Sequence, residues 1–348
     1  MDGDRTPIDS VAPLRISFVG GGTDFPHWYE DHGGAVVSAT IDHRVRVRVV
    51  PRADRQVSVR SHDLGHLVEY HLDDGPDYDG VMDLPKAAIA RIGVDGGVDV
   101  EIRSDAPAGS GLGGSSALVT AVVAALLMLA DRSASPAEVA ELAYRIERDD
   151  LGISGGWQDQ FAAAYGGINL LEFSRTGTVV RPIHVGPGTL AELQDHLLLC
   201  YTGAVRRNVG LIDRQITLHR EGREDTILGM KRLQEMAFAM CRAIQSGRVE
   251  SIGPLLTEAF HAKMQMNPFI TDGTPIERML DVATTAGATG GKICGAGGGG
   301  YLLIAAPPVA HPSVRKALTA LGGQFAAFAF STTGVRATRA GRTWSPAG

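Results

Sequence analysis

Four charged residues, Arg15, Asp24, Glu147 and Asp159, stand near runs of glycine, and two serines, Ser115 and Ser116, close one such run. Gly109-Ser110-Gly111-Leu112-Gly113-Gly114 leads into an apolar helical stretch. Glycines there leave backbone N–H groups unblocked, and a helix N-terminus adds partial positive charge, a combination that suits an anion such as phosphate. Ser115 and Ser116 fall in the first helical turn, where a hydroxyl reaches a phosphate or a magnesium ion. The plain alternative is a tight turn with a serine N-cap. Phosphoryl transfer demands positioning, a metal, charge stabilisation and often a base for the acceptor hydroxyl. Asp159 is the leading candidate base, because it follows the glycine-bearing turn Ile153-Ser154-Gly155-Gly156-Trp157-Gln158 that a ligand can approach. Glu147 is expected near a helix C-terminus, where the macrodipole disfavours a carboxylate and bound Mg²⁺ would compensate. Its alternative role is as a partner for Arg145 or Arg148 on a solvated face.

Near the start, Arg15 precedes a short strand and Asp24 follows the triple-glycine turn Gly20-Gly21-Gly22 and Thr23. An aspartate there accepts hydrogen bonds from sugar hydroxyls or simply closes an Asx-turn. A second run, Gly295-Ala296-Gly297-Gly298-Gly299-Gly300, is either a phosphate-side loop or a close turn packed on a helix, with Lys292 before it either neutralising phosphate or exposed. Both runs match G-x-G-x-x-G, but neither reads as a dinucleotide fingerprint. The first is followed by two successive helices, so no βαβ unit is completed, and the second is followed by a strand. No G-x-x-x-x-G-K-[ST] is present.

These residues need elements to hold them. Strands are expected at 16–19, 43–50, 98–103, 168–173, 196–201 and 301–305, and helices at 115–130, 135–150, 158–164, 225–247 and 250–265, with another from about 275 to 286. Ser135-Pro136-Ala137-Glu138 and Thr274-Pro275-Ile276-Glu277 both read as capping boxes. His43 to Val50 alternates strictly, with Arg44, Arg46 and Arg48 on one face, a solvated sheet face or an anion-facing row. Residues 175–188 read as a linker or a hairpin, and residues 336–348 as a frayed end.

The 348 residues suffice for two domains. With 33 basic and 39 acidic residues, net −6, nucleic acid is not an expected partner. The longest apolar run, 117–130, is too short to cross a bilayer, and the N-terminus shows no secretory signal pattern. Cys200, Cys241 and Cys294 fit neither a disulfide framework nor a zinc site, so a cytoplasmic location is expected.

Three blocks, Ala12 to Asp24, Pro107 to Ala117 and Gly291 to Gly300, occur in one order across almost the whole chain. This resembles the GHMP kinase superfamily. The resemblance implies an α/β (α+β) fold of two domains: a ribosomal protein S5 domain 2-like unit, placed at 1–185, and a ferredoxin-like unit at 186–348. It implies ATP bound over Pro107, Gly109, Ser110, Gly111, Leu112, Gly113, Gly114, Ser115 and Ser116, with Mg²⁺ on Ser115 and Glu147. Asp159 would be the catalytic aspartate, and Arg15 would polarise the acceptor. Gly21, Gly22, Thr23, Asp24, Gly156, Gly297 and Gly298 would contact substrate. Galactokinases carry Glu-His where Gly21 and Gly22 stand here, which argues against galactose. The variant resembles the branch of D-glycero-D-manno-heptose 7-phosphate kinases and fucokinase-like enzymes. A phosphorylated acceptor needs cations, for which Arg206 and Arg207 are the candidates, with His27 and the Arg44 row behind them. The expectation is an ATP- and Mg²⁺-dependent kinase of the anomeric hydroxyl of a small sugar phosphate, monomeric or homodimeric. The alternatives are a kinase of an unphosphorylated sugar and a non-catalytic sugar- and ATP-binding regulator.

Overall fold

The structure, a computed structural model, describes residues 5–203 and 210–346. The expected substrate cations Arg206 and Arg207 lie outside the described residues. Among those residues the chain forms a nine-stranded sheet and a four-stranded sheet, with helices packed around both.

The first sheet is built on two long antiparallel strands, β1 (Ile8–Val19) and β2 (Gly34–Pro51), with the short helix α1 (Pro26–His32) between them. β2 pairs through Val45–Pro51 with β5 (Val98–Ser104) and through Gly34–Ala39 with β6 (Ile168–Ser174). β3 (Gln56–Ser61) lies parallel to β5 and antiparallel to β4 (His66–His71), and α2 (Asp83–Ile92) leads back into β5. In β2 the valines 45, 47 and 49 are buried and the arginines 46 and 48 exposed, as period-two alternation requires. Arg46 pairs with Asp105 and Arg48 with Asp9, so the arginine row is a solvated, ion-paired face.

α3 (Gly114–Leu129) is buried on nearly every side, which is why its sequence is apolar all round. α4 (Pro136–Arg145) opens with the expected capping box: Ser135 accepts from the Glu138 N–H while Glu138 accepts from the Ser135 N–H. The helix expected through residue 150 stops at Arg145, and Ile146–Asp150 continues as a π-turn, a distortion that often marks a functional position. α5 (Gln158–Tyr165) follows. Residues 175–188 hold a hairpin partner, β7 (Gly177–Pro182), and the start of α6 (Pro187–Asp195).

The second sheet has the order β11-β8-β10-β9, comprising β8 (Leu197–Tyr201), β9 (Gly290–Ile293), β10 (Tyr301–Ala305) and β11 (Gln324–Ala326). Leu197 and Leu199 of β8 face one core, and Leu198 and Cys200 face a second beneath α10 (Ile276–Thr285) and α11 (His311–Thr319). Coverage on both faces explains the unbroken apolar run. α7 (Leu211–Arg220), α8 (Glu224–Gln245) and α9 (Ile252–Met266) precede β9.

Two expectations are overturned. Thr274 and Glu277 form no capping box: Thr274 donates to the Thr271 carbonyl, and Glu277 accepts from the Thr271 hydroxyl instead. The C-terminal segment is not frayed. β12 (Arg336–Arg339) pairs antiparallel with β1, and β13 (Arg342–Trp344) pairs with β12. The chain after residue 186 therefore builds the second sheet and then returns to the first.

Candidate active site

A cleft of about 660 Å³ gathers all three sequence blocks. The first glycine run forms one wall. Gly113 adopts a left-handed conformation at φ 76° as the N-cap of α3, and the first turn, Gly114–Ser116, whose N–H groups have no partner within the helix, borders the cleft. Pro107, Gly109, Ser110, Gly111, Gly113, Gly114, Ser115 and Ser116 border it, whereas the Leu112 side chain is buried. Beside this wall the cleft is apolar, with Val45, Met82, Leu84, Ile102 and Leu118.

The second glycine run braces the first. A Cβ on Gly300 would lie 2.4 Å from the Ser110 carbonyl, and one on Gly111 would lie 2.8 Å from that of Cys294. The two loops are joined by the Tyr301 N–H donating to Ser110 O at 3.0 Å. Gly295 and Ala296 border the cleft. Gly297 and Gly298 do not: a Cβ on Gly297 would meet Ile270 at 2.7 Å, and Gly298 donates to the Ile270 carbonyl. Close backbone approach is thus the reason for the glycines here.

Arg15 and Asp159 meet at the end of the first loop. Arg15 Nε donates to Asp159 Oδ1 at 2.7 Å and Nη1 to the Gly111 carbonyl at 2.6 Å. Gly113 admits the pair, since its Cβ would lie 3.2 Å from Arg15 Cγ and 3.4 Å from Asp159 Cγ. The Arg15 side chain is 5% exposed and that of Asp159 26%, so the carboxylate is the accessible member. Asp159 stands in the first turn of α5, where the helix dipole favours negative charge.

Asp24 is buried and bordered by the cleft. It accepts from the N–H groups of Gly22 (2.9 Å) and Gln158 (3.1 Å), and burial pushes its carboxyl up from the usual range. Gly21, Gly22 and Gly156 lie beside it on the cleft. Thr23 points away, donating to the Gly20 and Ala35 carbonyls inside the fold.

Glu147, on the π-turn, is buried rather than solvated. It does pair with Arg148, at 3.1 Å, and accepts from Gln160 Nε2 at 3.0 Å. Gln160 Nε2 also donates to Ser116 Oγ at 3.1 Å. The buried serine of this network is thus Ser116, while Ser115 is exposed at the cleft. Burial pushes the Glu147 carboxyl up, and Gln160 Oε1 is buried with no hydrogen-bond partner among the described residues. Among the described residues no group of three or more His, Cys, Asp or Glu converges. Mg²⁺ usually takes one or two carboxylates and leaves the rest of its shell to phosphates and water, so one buried carboxylate beside the Ser116 hydroxyl fits it.

Sequence reading missed Gln158, Gln160, Gln215 and Lys263, all bonded into this region. Lys263 carried a signal: it is spaced four from Ala259 and three before Met266, on the buried stripe of α9. Lys292 is buried, not exposed, and donates to the Ser17 carbonyl. His27 lies against His219 and does not border the cleft.

The family model for the GHMP kinases N terminal domain matches residues 82–167. D-glycero-alpha-D-manno-heptose 7-phosphate kinase of Campylobacter jejuni is 31% identical over 95% of this chain and 99% of its own. The bifunctional fucokinase/GDP-fucose pyrophosphorylase of Arabidopsis thaliana is 28% identical over 87% of this chain, which spans 30% of that longer protein. The crystal structure of a D-glycero-D-manno-heptose 1-phosphate kinase from Bacteroides thetaiotaomicron superposes with a TM-score of 0.78 at 28% identity, covering 95% of this chain and 98% of that one. Three blocks converging on one cleft and a relative matched along nearly its whole length lead to one conclusion: the chain belongs to the GHMP kinases, phosphotransferases with an alcohol group as acceptor.

Proposed function

We propose that the protein transfers the γ-phosphoryl of ATP to the anomeric hydroxyl of a sugar phosphate, D-glycero-D-manno-heptose 7-phosphate or a related higher-carbon sugar phosphate. The observation that carries this reading is the Arg15–Asp159 pair, set against the α3 N-terminus and opening onto the Gly21–Asp24 turn. The similarity to heptose phosphate kinases over nearly the full chain supports the acceptor class.

In this reading the backbone N–H groups at Gly114–Ser116 hold the phosphates, and Asp24 accepts from the hydroxyls of the sugar. Asp159 Oδ2 accepts the proton of the acceptor hydroxyl, while Arg15 fixes the other carboxylate oxygen and supplies positive charge where negative charge develops. Glu147, with Ser115 and Ser116, would hold Mg²⁺, which when bound neutralises charge on the transferring phosphates. Gln160 orients Glu147 and Ser116 toward that task.

ADP release, followed with Mg·ATP across phosphorylated and unphosphorylated heptoses, mannose 6-phosphate, fucose, galactose and mevalonate, tests the reading. Turnover is expected on the heptose phosphate, and Asp159→Asn is expected to cut it by roughly 10²–10⁴-fold while sparing ATP binding. Turnover confined to fucose would instead favour the relation to the fucokinase, and binding of both ligands without ADP release would favour a regulator. Undiminished turnover in Asp159→Asn would remove the base.

A further inference from the structure

Two lysines lie buried beside the cleft, and the chemistry above uses neither. Lys263 on α9 is 6% exposed and Lys292 on β9 is 3% exposed. Each ammonium gives one N–H to a main-chain carbonyl, Lys263 to Gly295 O at 2.6 Å and Lys292 to Ser17 O at 2.7 Å. The Asp24 carboxylate and the Cys294 sulfur favour the Lys263 ammonium, and Lys292 and Arg15 oppose it. Burial together with these cations pushes Lys263 down to about 7, and burial pushes Lys292 down to about 8. A buried cation without a paired anion is costly, and an anionic ligand is what would compensate it.

The two lysines differ in reach. Lys292 does not border the cleft, whereas Lys263 does, in company with Gly22, Asp24, Gln215 and Gly295. An ammonium has three donors, and the Gly295 carbonyl takes one. The turn that carries Asp24 is seated against α9 and α7, since a Cβ on Gly22 would lie 3.0 Å from Met266 Sδ and 3.0 Å from Gln215 Nε2. The glycines at 21 and 22 place no carboxylate or imidazole beside this cation. The Asp24 charge acts on Lys263, which sets the lysine beside the sugar-side aspartate.

We propose that Lys263 anchors the phosphate that the acceptor sugar carries away from its reacting hydroxyl, and so selects phosphorylated over unphosphorylated acceptors. This rests on the reading of the protein as a sugar phosphate kinase and names the cation of that same site. The transferring phosphoryl of the nucleotide has the same chemistry, and the choice of acceptors separates the two sources.

The experiment compares wild type with Lys263→Met, measuring steady-state kinetics on heptose 7-phosphate and on the same heptose without phosphate. Melting temperatures are taken without ligand, with heptose 7-phosphate and with ATP. Lys263→Met is expected to raise KM for the heptose phosphate by roughly 10- to 100-fold. KM for free heptose and for ATP should stay within about twofold, and the melting shift on adding heptose 7-phosphate should be lost while that with ATP is kept. If both acceptors lose kcat/KM equally, Lys263 serves the transferring phosphoryl or the fold, and the proposal is overturned. If wild type uses the heptose phosphate and the variant is unaffected, the proposal falls and the sugar phosphate reading stands. If wild type uses only unphosphorylated sugars, the reading itself fails and the anchor fails with it. Lys263→Gln carries the same expectations should the methionine variant not fold.

Discussion

Arg15 and Asp159 are 144 positions apart and meet through a 2.7 Å hydrogen bond, while a second Arg15 nitrogen bonds the Gly111 carbonyl and so ties the pair to the first glycine loop. Asp159 was read as a candidate from the glycine-bearing turn before it and Arg15 from the family resemblance, but the network around them was not legible. Gln160 flanks Asp159 in sequence yet turns to Ser116 and Glu147, a direction fixed only once α5 packs against α3 and α4. If Gln160 holds the metal-side carboxylate in place, Gln160→Leu should raise the Mg²⁺ concentration for half-maximal rate by roughly tenfold or more. Titrating Mg²⁺ at saturating ATP and acceptor measures this. An unchanged requirement would reduce Gln160 to a packing role.

At the scale of elements, the glycine-bearing turn before α5 exists to let Asp24 approach. A Cβ on Gly156 would stand 2.0 Å from Asp24 Oδ2, and Arg148 holds the turn through the Ile153 and Gly156 carbonyls. Gly156→Ala is therefore expected to raise the acceptor KM by roughly an order of magnitude while leaving ATP affinity within about twofold. Separate titrations of the two substrates check it, and an effect on ATP alone would contradict the assignment of Asp24 to the sugar. Periodicity made most elements legible: the alternating valines of β2, the all-apolar α3 and the Ser135 capping box lie where local pattern places them. The π-turn at Ile146–Asp150 did not show, because helical periodicity continues through it. The misread Thr274 box shows the converse: the right residue types at the right spacing form other bonds when Thr271 competes for Glu277.

For the molecule as a whole, the last strands close the first sheet. Val335 and Ala337 are buried in its core, β12 pairs with Ile8–Val11, and Trp344 Nε1 donates to the Arg132 carbonyl. A short polar tail reads as frayed when its partner strand lies at the other end of the chain. Deleting residues 334–348 should abolish cooperative unfolding, as judged by thermal melting with circular dichroism, by exposing the β1 edge and that core. The buried lysines set a second whole-molecule property. Both titrate in the folded chain below the 10.5 of a free lysine, Lys263 at about 7 and Lys292 at about 8. Between these values and 10.5 the unfolded chain holds protons that the folded chain has shed, so these groups make stability rise with pH across that window. The ligand-free melting temperature of wild type should gain on that of Lys263→Met between about pH 7 and 9. A constant difference would show that Lys263 does not titrate there.

Transfer from ATP to an anomeric hydroxyl leaves a phosphate on the anomeric carbon, and the position of phosphate in the product distinguishes it from transfer elsewhere. Phosphorus and proton NMR of the reaction with heptose 7-phosphate should show a second phosphate coupled to the anomeric proton, equimolar with ADP, and formed far more slowly with Asp159→Asn. A phosphate on any other carbon, or ADP formed with no new phosphorylated sugar, would exclude transfer to the anomeric hydroxyl.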